Sequence, residues 1–290
     1  MDFLKVLRSY LETPGKMLIA PGAYDGISAH LIAEAGFEAI YMTGAGTSAS
    51  RIGEPDIGLV TLTEMVTNAA MIVECTQLPV IADADTGYGN PLNVIRTVRE
   101  YERANVAAIH IEDQIFPKRC GHLGGKQVIP SEQFVQKIKA AVDNRRNPDF
   151  LIIARTDAIA VYGFEEAINR ANLCAEAGAD IIFVEAPRTI EELSEIPKKI
   201  KVPCLVNMPG PASKTPAVTT SELQNMGYKI VIYPSICFEA AIHAIRQALS
   251  TLKKKGIGWD SSFFLSPEEF FTMVGLEKWS TWERKYSTTG

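Results

Sequence analysis

Three features are missing from this 290-residue sequence: long apolar runs, CxxC pairs of cysteines, and clusters of basic residues beyond one short lysine run. The apolar runs are far shorter than the roughly 20 residues of a membrane-spanning helix. The five cysteines are odd in number and scattered, which is typical of reduced thiols in a cytoplasmic protein. The 29 basic and 34 acidic residues give a net charge of −5, which argues against a nucleic-acid partner. Because Asp2, Lys5 and Arg8 interrupt the apolar positions near the start, we expect no signal peptide there.

The sequence does have a regular rhythm of short β-rich apolar runs, each followed by a turn and a helical pattern. The runs show no alternation of apolar and polar residues, which is typical of parallel strands covered on both faces. The predicted strands are Met17–Pro21, Ala39–Thr43, Pro79–Ala84, Ala107–Glu112, Phe150–Thr156, Asp180–Glu185, Pro203–Asn207 and Lys229–Pro234. The predicted helices are Gly26–Ala35, Thr63–Cys75, Leu92–Ala104, Ser131–Asn144, Phe164–Ala177, Ile190–Ile200, Thr219–Asn225 and Phe238–Leu252.

Eight strands alternating with eight helices predict an α/β fold, a (β/α)8 TIM-type barrel. A doubly wound sheet is the alternative, but it needs no eighth unit and the sequence has no GxGxxG motif to open it. We assign residues 1–258 to the barrel catalytic domain and residues 259–290 to a C-terminal helical extension. In the extension, Ser266 begins a capped helix whose apolar face has no barrel strand beneath it. We expect this tail to dock on a neighbouring subunit, with its own barrel as the alternative.

Acidic residues follow several of the predicted strands. The third strand ends near Asp83 and Asp85, and the fourth ends at Glu112. Because the C-terminal ends of barrel strands form the active-site rim, these carboxylates meet there. An oxygen-only set without a His or Cys pair fits Mg²⁺, or Mn²⁺, rather than Zn²⁺. Asp83 and Asp85 are two residues apart, so on a regular strand both point into the barrel mouth. The alternative is a set of structural ion pairs with Arg155 and Lys118.

A second signal lies in the long loop after the fourth predicted strand, which contains Lys118-Arg119-Cys120-Gly121-His122. A cysteine beside Lys, Arg and His lies in a positive field that favours the thiolate. Gly121 and the following Gly124-Gly125 let the loop close over a ligand. Cys120 is therefore a candidate acid–base residue, with an unreactive loop cysteine as the alternative. The other four cysteines lie in predicted strands or helices and are expected to be small apolar residues.

Other strand ends carry groups that suit an anion. Arg155 ends an apolar strand, and a guanidinium at a barrel mouth is expected to bind a carboxylate of a side chain or of a substrate. Thr43-Gly44-Ala45-Gly46 either offers backbone N–H groups to an oxyanion or is only a tight turn. Glu185 and Asn207 end the sixth and seventh strands. His110 either supports the site or is a core histidine.

Taken together, five motifs resemble the isocitrate lyase/phosphoenolpyruvate mutase superfamily, over roughly Pro21 to Leu252. The Lys-Arg-Cys-Gly-His motif is similar to the signature of its carbon–carbon lyase branch. The resemblance implies a homotetramer that exchanges C-terminal helices between barrels. The motifs are Pro21-Gly22-Ala23-Tyr24-Asp25, Thr43-Gly44-Ala45-Gly46, Asp83-Ala84-Asp85-Thr86-Gly87-Tyr88-Gly89, Ile109-His110-Ile111-Glu112-Asp113-Gln114 and Lys118-Arg119-Cys120-Gly121-His122.

The resemblance also implies a role for each matched residue. Asp85 would hold Mg²⁺ directly, and Asp56, Asp83 and Glu112 would hold it through water. Cys120 would be the acid–base residue, and the other implied catalytic residues are Arg155, Glu112 and His122. The implied substrate-binding residues are Tyr41, Thr43, Gly44, Ala45, Lys118, Arg119, Gly121, Arg155, Glu185 and Asn207.

The reaction implied by the resemblance is a retro-aldol cleavage. A 2-hydroxy dicarboxylate would chelate Mg²⁺ through its carboxylate and hydroxyl, which lowers the pKa of the hydroxyl. Loss of that proton lets the C2–C3 bond break, so that a 2-keto acid remains and the other half leaves as the enolate of a carboxylate. Cys120, on the closing loop, would protonate the enolate.

One segment departs from the pattern of the isocitrate and methylisocitrate lyases. Where they carry Asn-x-Thr-Glu-Phe-Gly, whose hydroxyls help to bind the succinate end, this sequence has Asn207-Met208-Pro209-Gly210-Pro211-Ala212. Because a second distal carboxylate would lose partners, we expect cleavage of 2,3-dimethylmalate to pyruvate and propionate. The alternatives are a 2-methylisocitrate lyase, which gives pyruvate and succinate, an oxaloacetate hydrolase or decarboxylase, and a non-catalytic barrel that binds metal or dicarboxylate.

Overall fold

The structure is a computed structural model of the chain, and it describes residues 3–121, 123–211, 213–257 and 264–287. Within these ranges, eight strands form one closed barrel in which every strand runs parallel to the next and the last pairs with the first. The predicted (β/α)8 barrel is therefore confirmed, with strand ends within two residues of their predictions. The strands are β1 Leu18–Ala23, β2 Ile40–Met42, β3 Val80–Asp83, β4 Ala108–Glu112, β5 Leu151–Thr156, β6 Ile181–Val184, β7 Cys204–Asn207 and β8 Ile230–Tyr233.

Successive strand residues point alternately into the barrel and toward the helices, and both faces are buried. Tyr41 and Ile81 belong to the apolar cluster inside the barrel, whereas Met42 and Ala82 pack in the cluster under the helices. All four are at most 3% exposed. Because each strand is covered on both sides, its sequence stays apolar at consecutive positions.

Helices follow the strands and cover the outside of the barrel. Those that the sequence predicts are α2 Gly26–Glu34, α4 Leu62–Thr76, α5 Pro91–Arg103, α6 Ser131–Asn144, α8 Phe164–Glu176, α9 Ile190–Lys199, α10 Thr220–Met226 and α11 Ile236–Lys255. The predicted start of α4 at Thr63 is wrong. Thr61 caps that helix, because its side chain accepts a hydrogen bond from the N–H of Glu64 and the Glu64 carboxylate binds back to Thr61.

Three further helices have no counterpart in the sequence prediction: α1 Phe3–Glu12, α3 Gly44–Arg51 and α7 Ile159–Tyr162. In α1, Leu7 is fully buried in the cluster that fills the barrel, together with the first residues of several strands. We infer that α1 closes the floor of the barrel, at the end opposite to the strand C-termini.

The C-terminal part of the described chain consists of α12 Pro267–Met273 and α13 Leu276–Tyr286. Ser266 caps α12 and Glu269 completes a capping box, which confirms the predicted helix start. Neither helix has a buried residue, and Trp279 is 64% exposed. No helix in the described ranges is both long enough and apolar enough to cross a membrane.

Candidate active site

A cavity of about 390 Å³ lies at the C-terminal ends of the strands, where the fold places a barrel's active site. Three predicted site residues, Asp85, Glu112 and Lys118, are buried but do not line this cavity. Arg119 is exposed, and His122 lies outside the described residues. The predicted residues that line the cavity are Tyr41, Thr43, Gly44, Ala45, Asp56, Asp83, Cys120, Gly121, Arg155, Glu185 and Asn207.

Two of the four predicted metal ligands contact the ammonium group of Lys118. Its Nζ lies 2.5 Å from Asp56 Oδ1 and 2.6 Å from Asp85 Oδ1. We expected Asp83 and Asp85 to extend from one regular strand, and this is wrong. Strand β3 ends at Asp83, whereas Asp85 lies beyond the strand with a left-handed φ of 46°. This turn brings the backbone N–H of Asp85 to 2.9 Å from Asp83 Oδ1, to which it donates.

Burial and charge shift the pKa values in this group in different directions. Burial acts to lower the pKa of Lys118, but Asp85, Asp83 and Asp56 hold it well above its ordinary value. Burial raises the pKa of Asp85 to about 7 against the opposing effect of Lys118. Burial also raises the pKa of Glu112 well above its ordinary value, with Arg155 opposing. A further positive charge would therefore stabilise the ionised forms of Asp85 and Glu112.

This donor set fits a hard divalent cation. Glu112 is fully buried, and its Oε1 has no hydrogen-bond partner among the described residues. Carboxylate oxygens with unsatisfied lone pairs are the ligands that Mg²⁺ prefers. The described residues hold no ready-made group of three or more His, Cys, Asp or Glu ligands. The ion pairs that the alternative interpretation expects are also present, so the metal role stays a prediction.

Arg155 lines the cavity and is held by two buried carboxylates. Its Nη1 lies 3.1 Å from Glu112 Oε2, and its Nε lies 3.0 Å from Asp157 Oδ2. Burial acts to raise the pKa of Asp157, but Arg155 and Lys126 outweigh it and lower that pKa to about 2. Sequence reasoning assigned no role to Asp157 or Lys126. The signal for Asp157 was its place two residues after Arg155, at the same strand end.

The segment Thr43-Gly44-Ala45 begins helix α3 rather than ending a strand. The side chain of Thr43 caps the helix by accepting from the N–H of Gly46. Because a Cβ at Gly44 would collide with the Asp83 carboxylate, glycine lets the backbone of α3 pack directly against that side chain. The first N–H groups of α3 are thus placed at the cavity wall, where a helix N-terminus favours an anion.

Tyr41 and His110 form a buried pair beneath the cavity. The Tyr41 hydroxyl lies 2.8 Å from His110 Nε2, and burial lowers the pKa of His110 to about 4. His110 Nε2 is also 3.7 Å from Asp83 Oδ1. His110 therefore contacts two cavity residues in its neutral form, and its supporting role stays a prediction.

We call the described residues 118–121 and 123–125 the flap. Cys120 is partly buried and lines the cavity together with Thr43 and Asn207. The flap lies close over the site, because a Cβ at Gly121 would be 2.7 Å from Arg155 Nη2. Two hydrogen bonds between the side chain of Gln114 and the backbone of Arg119 fix the start of the flap.

The outer wall of the cavity is mostly apolar, and sequence reasoning missed part of it. It includes Phe238 and Glu239 from the first turn of α11, and Glu239 Oε2 would lie 3.9 Å from a Cβ at Gly210. Ser235 donates a hydrogen bond to the carbonyl of Pro209, 2.8 Å away. Arg155 is the only Lys or Arg side chain among the described residues that line the cavity.

Comparison with curated proteins finds close relatives over the whole chain. The chain is 47% identical over 289 residues to a 2,3-dimethylmalate lyase of Eubacterium barkeri, which covers 99% of both chains. It is 46% identical to a 2-methylisocitrate lyase of Aeropyrum pernix, covering 92% of this chain and 89% of that protein.

Comparison with solved structures gives the same picture. A crystal structure of 2,3-dimethylmalate lyase matches with a TM-score of 0.94 and 41% identity, covering 98% of this chain and 95% of that one. Oxaloacetate acetylhydrolase bound to 3,3-difluorooxalacetate also matches with a TM-score of 0.94, at 38% identity and 98% and 97% coverage. Phosphonopyruvate hydrolase in complex with oxalate and Mg²⁺ matches with a TM-score of 0.89, at 31% identity and 99% coverage of both chains.

The family model described as phosphoenolpyruvate phosphomutase matches residues 7–253, which is nearly the whole barrel. The barrel topology, the cavity at the strand C-termini and the full-length relatives agree with that match. This protein therefore belongs to the phosphoenolpyruvate mutase/isocitrate lyase superfamily.

Proposed function

We propose that this protein is a Mg²⁺-dependent carbon–carbon lyase that cleaves 2,3-dimethylmalate to pyruvate and propionate. The observation that carries the proposal is the composition of the cavity at the strand C-termini, where Cys120 on the flap lies with Arg155 and the N-terminus of α3. An acid that can protonate carbon thus lies beside groups that can bind a carboxylate and a developing oxyanion. The relatives named 2,3-dimethylmalate lyase support the same assignment.

Asp85, Asp83, Asp56 and Glu112 would hold the Mg²⁺. When bound, Mg²⁺ polarises the hydroxyl and carboxylate oxygens of a 2-hydroxy acid and lowers the pKa of the hydroxyl. We place the C1 carboxylate against the Arg155 guanidinium, where Glu112 and Asp157 orient the planar donor fork.

The remaining steps use groups of this chain. The N–H groups of Gly44 and Ala45 stabilise negative charge on the pyruvate half, because they belong to the unsatisfied first turn of α3. The leaving half is the enolate of a carboxylate, and Cys120 donates the proton that converts it to propionate. Closure of the flap excludes water, so the enolate is protonated by the thiol.

The wall of the cavity favours a small group on C3 of the substrate. A substituent directed toward Phe238 and Pro211 meets apolar surface and the carboxylate of Glu239. A methyl group suits this surface, whereas the carboxymethyl group of 2-methylisocitrate would carry a third negative charge to a wall whose described residues include no Lys or Arg.

The test is a panel of 2-hydroxy and 2-keto dicarboxylates with product identification by NMR. We expect Mg²⁺-dependent release of pyruvate and propionate from 2,3-dimethylmalate, abolished by a chelator. Pyruvate release only from 2-methylisocitrate would move the assignment to that lyase, and acetate and oxalate from oxaloacetate would indicate a hydrolase. The absence of any turnover would favour a binding barrel.

We also propose that the protein is a cytoplasmic homotetramer in which residues 259–290 form an extension exchanged between barrels. Helices α11, α12 and α13 have no buried residue in the single chain. Three large apolar side chains on these helices, Leu249, Phe271 and Trp279, are each at least half exposed. A second copy of the chain would cover this surface.

A further inference from the structure

Lys126 is buried just beyond the flap and joins two parts of the site. Its side chain is 1% exposed, and its Nζ lies 2.6 Å from Asp157 Oδ1. The same Nζ donates to the carbonyl oxygen of Gly121, 2.5 Å away. A buried ammonium is stable only with such partners, so the flap backbone is tied to the end of β5 through one ion pair.

Asp157 also binds the guanidinium group of Arg155. Its carboxylate accepts from Arg155 Nε at 3.0 Å and from Arg155 Nη2 at 3.3 Å. The N–H of Asp157 donates to Asp113 Oδ1 at 2.9 Å, which fixes the Asp157 backbone. One fully buried carboxylate therefore fixes both Arg155 and, through Lys126, the carbonyl of Gly121.

The contact at Gly121 sets how far the flap enters the site. A Cβ there would lie 2.7 Å from Arg155 Nη2 and 2.8 Å from Glu185 Oε1, so the backbone packs directly on these two side chains. Cys120 is the preceding residue and lines the cavity. The carbonyl that Lys126 binds therefore belongs to the residue that directly follows Cys120.

We propose that Lys126 and Asp157 are positioning residues that latch the flap and hold Cys120 at its working depth in the cavity. The effect of the latch on turnover rests on the proposed function, but the latch itself does not. Neither side chain has to touch the substrate, since Lys126 acts through Gly121 and Asp157 acts through Lys126 and Arg155.

The decisive measurement is the rate at which iodoacetamide alkylates Cys120 in the full chain, followed by peptide mass spectrometry without substrate. We expect Lys126→Met to raise this rate about tenfold or more, because the flap opens more often. Lys139→Met removes an exposed lysine of α6 and is the matched control, with an expected rate equal to the wild type. Cys75 and Cys237 are partly buried and serve as internal references. An unchanged rate at Cys120 in Lys126→Met would overturn the latch.

A second variant separates a local effect from a loss of folding. Lys126→Arg keeps the charge and the donors, so we expect it to restore most of the protection of Cys120. Equal acceleration at Cys75, Cys237 and Cys120 in both variants would mean that the pair supports the whole fold, and would also overturn the proposal.

Kinetics then test the consequence for the reaction. With 2,3-dimethylmalate we expect Lys126→Met to lower kcat on the order of tenfold with a much smaller change in KM, because a misplaced acid affects the chemical step. Lys126→Arg should recover most of the lost kcat, and a change confined to KM would contradict a role in placing Cys120. If the protein cleaves no substrate in the panel, the proposed function fails while the alkylation result still decides the latch.

Discussion

At the residue scale, the site depends on a few buried cations that several carboxylates share. Lys118 contacts two aspartates, and Arg155 contacts Glu112 and Asp157. Removing one partner of a buried ion pair leaves a charge uncompensated, at a cost of about 3–5 kcal/mol. Substitutions at these positions therefore change the stability of the fold as well as the chemistry. A substitution of a neighbouring residue without a formal charge tests the chemistry with less effect on stability.

Cys120 offers a separate test of the chemistry, because it lies on the flap and lines the cavity. We expect Cys120→Ser to lower the kcat for carbon–carbon cleavage by about 10²-fold or more, since the proton donor is replaced by a much weaker acid. Calorimetry should give unchanged affinities for Mg²⁺ and pyruvate. Cys75→Ser, at a partly buried position on α4, is the control and should retain activity. Normal turnover by the Cys120 variant would remove the acid–base role.

Glu239 tests the selection of the substrate. We expect Glu239→Lys to raise kcat/KM for 2-methylisocitrate relative to 2,3-dimethylmalate about tenfold, or ~1.4 kcal/mol, because the lysine offers a cation to the third carboxylate. Glu132→Lys makes the same charge change at an exposed position of α6 and should leave the ratio unchanged. If both variants shift the ratio equally, the effect belongs to net charge and not to the cavity wall.

Asp157 predicts a pH dependence of stability with a definite sign. Its pKa is lowered from 3.8 to about 2, so the ionised carboxylate stabilises the fold above pH 3.8, and this contribution is lost as the pH falls toward 2. We expect Asp157→Asn to lower the free energy of unfolding at pH 7 by at least about 2 kcal/mol. Urea denaturation of both proteins at several pH values should show the difference shrinking below pH 4. A difference that is constant with pH would mean that Asp157 does not stabilise the fold through its charge.

At the scale of elements, the barrel could be predicted because its strands follow one simple rule. Residues such as Ile81 and Ala82 face opposite sides, both of them apolar, so each strand is visible as an uninterrupted run. Helix α3 was missed for the opposite reason. Its sequence, Gly44-Ala45-Gly46-Thr47-Ser48, has no apolar period, and the helix exists because Thr43 caps it and the barrel rim packs around it.

Some contacts of the site could be predicted from the barrel topology, and others could not. The strand ends bring Arg155, Glu185 and Asn207 together because the topology of a barrel fixes where they meet. Lys126 and Asp157 are 31 residues apart, and their contact depends on how one long loop folds back, which no sequence period encodes.

Helix α1 gives a prediction at this scale, since it closes the barrel floor with one buried side chain. Leu7 is fully buried, so Leu7→Ala should lower the free energy of unfolding by about 2–5 kcal/mol through lost burial and the cavity left behind. Leu92→Ala is the matched control, because Leu92 is 74% exposed and should cost less than about 0.5 kcal/mol. Urea denaturation measures both values, and equal small losses would show that α1 does not close the floor.

At the scale of the whole molecule, the exposed apolar side chains are unevenly distributed over the single chain. The barrel buries its apolar residues, whereas α11 to α13 leave Ile245, Leu252, Trp279 and Trp282 between 41% and 64% exposed. Monomeric proteins rarely leave large apolar patches exposed to water. The isolated chain is therefore expected to be one part of an assembly.

Removal of residues 259–290 tests this expectation directly. If the extension is exchanged between barrels, the truncated protein should shift from a tetramer to smaller species, because each barrel loses the helices that its neighbour supplies. Light scattering coupled to size exclusion gives the mass, and Trp279→Glu with Trp282→Glu makes the same test in the full-length chain by placing charge on the apolar face. We expect both proteins to keep the barrel's helical circular dichroism, since α12 and α13 contribute no buried residue to it. An unaltered mass in both would mean that the extension packs on its own barrel.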